Sequence, residues 1–104
     1  MTDEEFVAHA CLSFPRLVTI GKVTGQVRMY GPAWDMLREW VWNRDGRKCV
    51  NCLCPVTLEK GGFQGVHCAH RKSKGSGGSD VPSNLRSLCI RCHAAEHSGK
   101  VHVR

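Results

Sequence analysis

The sequence contains no long hydrophobic run. Hydrophobic residues make up 41% of the chain, and its mean hydropathy is −0.30. No stretch approaches the roughly 18 apolar residues of a membrane-spanning helix, and no apolar segment follows the acidic residues 3–5, as it would in a secretory signal. We therefore expect a cytoplasmic protein that does not bind membranes, and 104 residues suffice for one small domain.

Acidic side chains are scarce in the second half of the chain. Residues 1–44 carry five basic and five acidic side chains, whereas residues 45–104 carry ten basic and four acidic ones. Residues 61–79 contain no acid at all. The excess of basic over acidic side chains that gives the formal net charge of +6 therefore lies entirely after residue 44. This asymmetry favours a polyanionic partner such as nucleic acid, although a generally cationic solvated surface would explain the charge alone.

Disulfide bonding explains the seven cysteines poorly. Their number is odd, and four of them form two Cys-x-x-Cys pairs, Cys49 with Cys52 and Cys89 with Cys92. In a reducing compartment, paired motifs of this kind are typical of a tetrahedral zinc site, and four thiolate ligands would make that site structural. Cys54 could replace Cys52 as a ligand. A redox role for either pair alone is the alternative.

Residue patterns predict short helices and short strands. We expect helices over residues 3–12, 33–44 and 90–97, a hairpin over residues 17–30, a further strand over residues 66–71, and a second strand or a turn over residues 81–88. Gly99 should end the last helix. Residues 72–80 are rich in glycine and serine, which carry too little apolar surface to order themselves, and should form a flexible loop. The three tryptophans of the second helix should pack in the core.

Histidines lie on both sides of this loop. His93 directly follows Cys92, and His97 comes four residues later. On a helix that spacing places both imidazoles on one face, where they could bind one metal ion. Upstream, His70 ends the predicted strand just before the loop, and Asn84 follows the loop.

The segment from His70 to His97, "HRKSKGSGGSDVPSNLRSLCIRCHAAEH", resembles the HNH endonuclease motif. The frame is similar as well, since "RDGRKCVNC" follows a predicted helix and precedes the glycine-rich loop. The resemblance covers residues 38–97. It implies an α+β fold with a ββα-metal core, in which two antiparallel strands and a helix are stabilised by the four-cysteine zinc site. The expected organisation is an N-terminal extension with the hairpin at residues 1–31, an HNH nuclease domain at 32–99 and a tail at 100–104.

The resemblance also implies a role for each motif residue. His70 would be the general base that takes a proton from the attacking water. Asn84 would brace the turn between the strands and so hold His70 in position. His93 and His97 would hold one catalytic divalent ion, Mg²⁺, Mn²⁺ or Ni²⁺. Imidazole suits the base because it titrates near neutral pH.

The implied activity is hydrolysis of phosphodiester bonds in double-stranded DNA. The products would carry 5′-phosphate and 3′-hydroxyl ends. With one base and one ion, each active site would cut one strand per encounter, so the protein could act as a monomer or as a homodimer. Contacts to backbone phosphates would come from three basic side chains of the loop, namely Arg71, Lys72 and Lys74.

One position departs from the family pattern. Many relatives have Asp or His directly before the base histidine, as a further metal ligand, whereas this chain has Ala69. His67 is the candidate substitute because residues two apart on a strand share a face.

Two other functions would explain part of the pattern. A non-catalytic, zinc-stabilised nucleic-acid-binding module, derived from a nuclease that has lost its site, accounts for the cysteines and the basic half. It does not explain why the motif histidines and Asn84 match the spacing of the HNH motif. A zinc-stabilised interaction domain gives no reason for the acid-free stretch.

Overall fold

A computed structural model describes residues 1–60 and 62–102 of the chain, with side chains up to Glu96. This part of the chain contains three helices and two small antiparallel sheets, which confirms the α+β class. None of its helices has the length and apolar character needed to cross a membrane. In chain order the elements are α1 (Asp3–Ser13), β1 (Val18–Ile20), β2 (Val27–Met29), α2 (Gly31–Arg44), β3 (His67–His70), β4 (Leu85–Leu88) and α3 (Ile90–His102).

Residues 1–30 form a helix and a hairpin, as predicted. Helix α1 begins at a capping box, in which the side chains of Thr2 and Glu5 each accept a backbone N–H of the other residue. Strands β1 and β2 pair antiparallel, with Val18 opposite Met29. Gly25 takes a φ of +72° at the turn between them, which glycine adopts without strain.

Helix α2 is the central element of the larger hydrophobic core. Leu37 and Val41 on its inner face are fully buried, and Trp40 meets Phe6 of α1 edge to face at 5.9 Å between ring centroids. We call this cluster the N-terminal core. Its buried members come from α1, the hairpin, α2 and β4, and they are Phe6, Ala10, Val18, Val27, Met29, Ala33, Leu37, Val41 and Leu85.

A second, smaller cluster lies on the other side of β3 and β4. We call it the cysteine core, and its buried members are Cys49, Val56, Val66, Ala69, Leu88 and Cys89. Trp42 packs against this cluster and donates its indole N–H to the carbonyl of Val56 at 2.8 Å. The prediction that the tryptophans of α2 pack in the core is confirmed for all three, since Trp34 and Trp40 pack against the N-terminal core and Trp42 against the cysteine core.

Strands β3 and β4 pair antiparallel, with Ala69 opposite Arg86, and α3 follows β4 directly. The expected succession of two strands and a helix is therefore present. The predicted end of the last helix was wrong, because α3 continues through Gly99 to His102. A glycine inside a helix costs only about 1 kcal/mol relative to alanine, which a helix that continues on both sides can absorb.

The loop between β3 and β4 is more ordered than its composition suggested. It contains a 3₁₀ turn at Lys74–Ser76, and β2 together with the preceding Gln26 holds it through polar contacts in place of apolar burial. The Gln26 amide donates to the carbonyl of Gly78 at 2.7 Å, and Val27 N–H donates to the Ser79 hydroxyl at 2.9 Å. Gly78 has to be glycine, since a Cβ there would lie 1.8 Å from the carbonyl oxygen of Lys72.

Candidate active site and metal centre

Four thiols converge where the segment after α2 meets the start of α3. The Sγ atoms of Cys49, Cys52, Cys89 and Cys92 all lie within 4.8 Å of one another. Those of Cys52 and Cys89 are 3.7 Å apart, close to the edge of about 3.8 Å that follows from a tetrahedron with zinc–sulfur bonds near 2.3 Å. The donor set and its spacing are therefore consistent with a structural zinc ion.

N–H groups aimed at two of the thiols favour the ionised form. The backbone N–H of Cys92 points at Cys89 Sγ at 3.4 Å, and the Asn51 amide points at Cys92 Sγ at 3.3 Å. The bond from Cys92, opposed by burial, lowers the pKa of Cys89 to about 6. At Cys92 the bond from Asn51 is outweighed by the neighbouring cysteine thiols and by burial, which raise the pKa to about 11. The neighbouring thiol of Cys52, together with burial, raises the pKa of Cys54 to about 12. Cys54 does not belong to the four-thiol group, so the geometry favours Cys52 as the ligand.

His70 is held at the end of β3 by two partners. Its Nε2 lies 2.6 Å from Oδ1 of Asp80, a fully buried residue. The indole of Trp34 stacks on the imidazole, with 5.8 Å between centroids and 7° between planes. Burial alone would raise the pKa of Asp80, but hydrogen bonds from His70 and from the backbone N–H of Met29 outweigh it and keep the pKa below its usual range. An ionised carboxylate therefore faces the histidine.

Sequence reasoning missed both partners of His70. Asp80 was visible as the residue that ends the acid-free stretch, and a lone buried acid near a histidine is a common arrangement at reactive sites. Trp34 was predicted only as a core residue. Its contact with His70 joins elements distant in sequence, which no local pattern reports.

Asn84 closes the loop between the two strands. Its Oδ1 accepts the backbone N–H of Lys72 at 2.8 Å, and its Nδ2 donates to the carbonyls of Lys72 at 3.0 Å and Ser79 at 2.9 Å. The side chain thereby fixes both ends of the loop relative to each other, directly after His70.

His93 of α3 faces the same sheet. Its ring lies against that of His67, with 4.8 Å between centroids and a tilt of 35°. His70 and His93 line one open cleft together with Ala69 and Glu96, and Glu96 forms an ion pair with Arg86. The cleft is completed by Cys68, Ser73 and Lys74.

The second predicted metal site is only partly described. The side chain of His97 lies outside the described residues, so His93 is the only member of the expected pair whose side chain is described. Among the side chains that are described, the four cysteines are the only group of three or more potential ligands gathered at one point. Ala69, at the position of the missing ligand, is buried.

One of the three predicted phosphate-binding side chains, Lys74, lines this cleft. Arg71, Lys72 and Lys74 are all exposed. Lys74 Nζ lies 5.7 Å from the centroid of the Trp34 ring, which in turn stacks on His70. We refer to these three residues as the basic loop side chains.

Comparison with known proteins gives one match. Residues 49–99, about half of the chain, match the family model described as HNH endonuclease. No curated protein and no solved structure matches the chain. The matched residues include all four clustered cysteines, both strands of the second sheet and most of α3. Over residues 49–99, the chain belongs to the HNH endonuclease family.

Proposed function

We propose that this protein is a metal-dependent DNA endonuclease in which His70 activates the attacking water. The observation that carries the proposal is the cleft in which His70, held by Asp80 and Trp34, lies together with His93 of α3. A base held in one orientation beside a potential metal ligand is what phosphodiester hydrolysis requires.

The hydrogen bond to Asp80 determines which nitrogen of His70 does the chemistry. Because Nε2 faces the carboxylate, Nδ1 is the nitrogen that accepts the proton from water. The resulting hydroxide attacks phosphorus, the bond to the 3′ oxygen of the preceding nucleotide breaks, and that oxygen takes a proton from solvent water as it leaves. The ends are then a 5′-phosphate and a 3′-hydroxyl. Asn84 serves this step indirectly, because it holds the loop that follows His70.

The catalytic ion is assigned to the α3 side of the cleft. His93 and His97 would hold Mg²⁺, Mn²⁺ or Ni²⁺, and His67 lies close enough to His93 to replace the ligand that Ala69 cannot supply. A divalent ion bound there would polarise the scissile phosphate and stabilise charge on the leaving oxygen. The zinc ion on the four cysteines would be structural, since its thiolate shell leaves no open position.

Double-stranded DNA is the proposed substrate, positioned by its backbone. The basic loop side chains are exposed and Lys74 lines the cleft, so they would contact phosphates without reading bases. One base and one ion per chain predict a nick per encounter. A double-strand break would need a homodimer or two successive encounters.

A plasmid assay tests the proposal. Zinc-loaded protein, freed of loosely bound ions, is incubated with supercoiled plasmid and with Mg²⁺, Mn²⁺, Ni²⁺ or added Zn²⁺ separately. Open-circle DNA should form with the parent protein and at least one ion, while His70→Ala should bind the plasmid without nicking it. If His70→Ala nicked the plasmid at the parent rate, His70 would not be the general base.

The alternative is a nucleic-acid-binding module without catalysis. Ala69 is the observation that favours it, because the first coordination shell then lacks one protein ligand. This alternative predicts salt-sensitive DNA binding, one metal ion per chain and no nicking with any ion.

A further inference from the structure

The base is held partly by residues that precede the family match. Trp34, which stacks on His70, and Met29, whose backbone N–H donates to Asp80 Oδ2 at 2.9 Å, both lie upstream of residue 49. We infer that Asp80 is a positioning residue that fixes the tautomer of His70, and that strand β2 in turn fixes Asp80. The catalytic consequence of this inference rests on the proposed function, whereas the tautomer itself does not.

The carboxylate of Asp80 has no freedom to turn. The residue is fully buried, with Oδ1 on His70 and Oδ2 on the backbone of Met29. Its own backbone N–H donates to the carbonyl of Val27 at 2.8 Å. Two neighbouring contacts, from Gln26 to Gly78 and from Val27 to Ser79, attach the preceding loop residues to the same strand and to the residue before it. The loop is thereby laid along β2, and the hairpin determines where the carboxylate points.

An ionised carboxylate accepts hydrogen bonds and donates none. The ring nitrogen that faces it therefore carries a proton, so a neutral His70 is the Nε2–H tautomer with a lone pair on Nδ1. This is the only neutral tautomer in which Nδ1 can remove a proton from water. Trp34 covers one face of the ring and keeps the imidazole from rotating out of this arrangement.

The substitution Asp80→Asn tests this reasoning with little change of shape. The position facing Met29 N–H needs an acceptor, so the amide oxygen should occupy it and the amide NH₂ should face His70. Nε2 must then accept a hydrogen bond, and the proton moves to Nδ1. In zinc-loaded protein without DNA, the ¹⁵N shifts of His70 should report Nε2–H in the parent and Nδ1–H in the variant.

The same substitution should affect turnover and leave binding intact. We expect kcat for nicking to fall on the order of 10²- to 10⁴-fold, the scale of losing a correctly oriented base, and KM to change by less than about threefold. A general loss of packing would instead reduce the folded fraction. Asp45→Asn is the matched control, because Asp45 is another carboxylate that accepts a backbone N–H, that of Ser87 at 2.8 Å, although it is only partly buried. That variant should lose stability but keep the parent tautomer and the parent kcat per folded molecule.

Three results would overturn the inference. They are an Nδ1–H tautomer of His70 in the parent, an unchanged tautomer in Asp80→Asn, and a parent-like kcat in Asp80→Asn when His70→Ala is inactive. If Asp80→Asn fails to fold, the ¹⁵N spectrum of the parent still shows whether His70 is the Nε2–H tautomer. If the parent nicks no DNA at all, the proposed function fails, but the two spectra continue to test how Asp80 positions His70.

Discussion

Asn84 should stabilise the fold and the base position at once, and removing its side chain gives a measurable cost. Asn84→Ala deletes three hydrogen bonds. The two to the backbone of Lys72 are exposed, so water replaces them and each is worth about 0.5 kcal/mol, while the partly buried bond to Ser79 is worth about 1 kcal/mol. The expected loss is therefore about 2 kcal/mol in the free energy of unfolding, measured by urea denaturation of the zinc-loaded protein.

Two comparison variants sharpen this experiment. Ser76→Ala removes a bond between Ser73 and Ser76 within the same exposed loop, and should cost less than about 0.5 kcal/mol. Asn84→Asp keeps the acceptor for Lys72 N–H but turns an oxygen toward the carbonyls of Lys72 and Ser79, so it should destabilise at least as much as alanine. Nicking should fall at least tenfold in Asn84→Ala, since small displacements of a catalytic group are costly. If its stability and its nicking rate both stay within error of the parent, Asn84 does not brace the loop.

Further predictions concern the metal centre, the DNA contacts and acid stability. Cys52→Ser should reduce bound zinc below one ion per chain and lower the unfolding temperature, whereas Cys54→Ser should retain the full complement, as measured by elemental analysis. Replacing all three basic loop side chains with alanine should weaken DNA binding and reduce the slope of log K against log salt by about 0.9 per lost phosphate contact, in titrations at several salt concentrations. Asp45 and Asp80 have folded-state pKa values held below 3.8, so the unfolded state takes up protons first, and stability should decline as pH falls below about 4 in urea midpoints.

The sequence predicted elements better than it predicted contacts between them. Local patterns located all seven elements, because capping residues, β-branched runs and helical spacing act within a few neighbours. The glycine-serine loop was expected to be flexible, since its composition offers no apolar surface. Its order depends on contacts with Gln26 and with the backbone of β2, about fifty residues away. Patterns among neighbouring residues do not predict contacts over that distance. Asp80 was overlooked for the same reason, because its partners His70 and Met29 come from different elements.

The two halves of the proposed site depend on different cores. His70 is held through Trp34 and Asp80 by elements that pack in the N-terminal core. His93 directly follows Cys92, so its helix is positioned by the cysteine core and by the cluster of four thiols. Strands β3 and β4 are common to both cores, with Leu85 in one and Leu88 in the other. In the proposed mechanism, the distance between base and ion would therefore be set by this sheet of two four-residue strands, which each core holds from its own side.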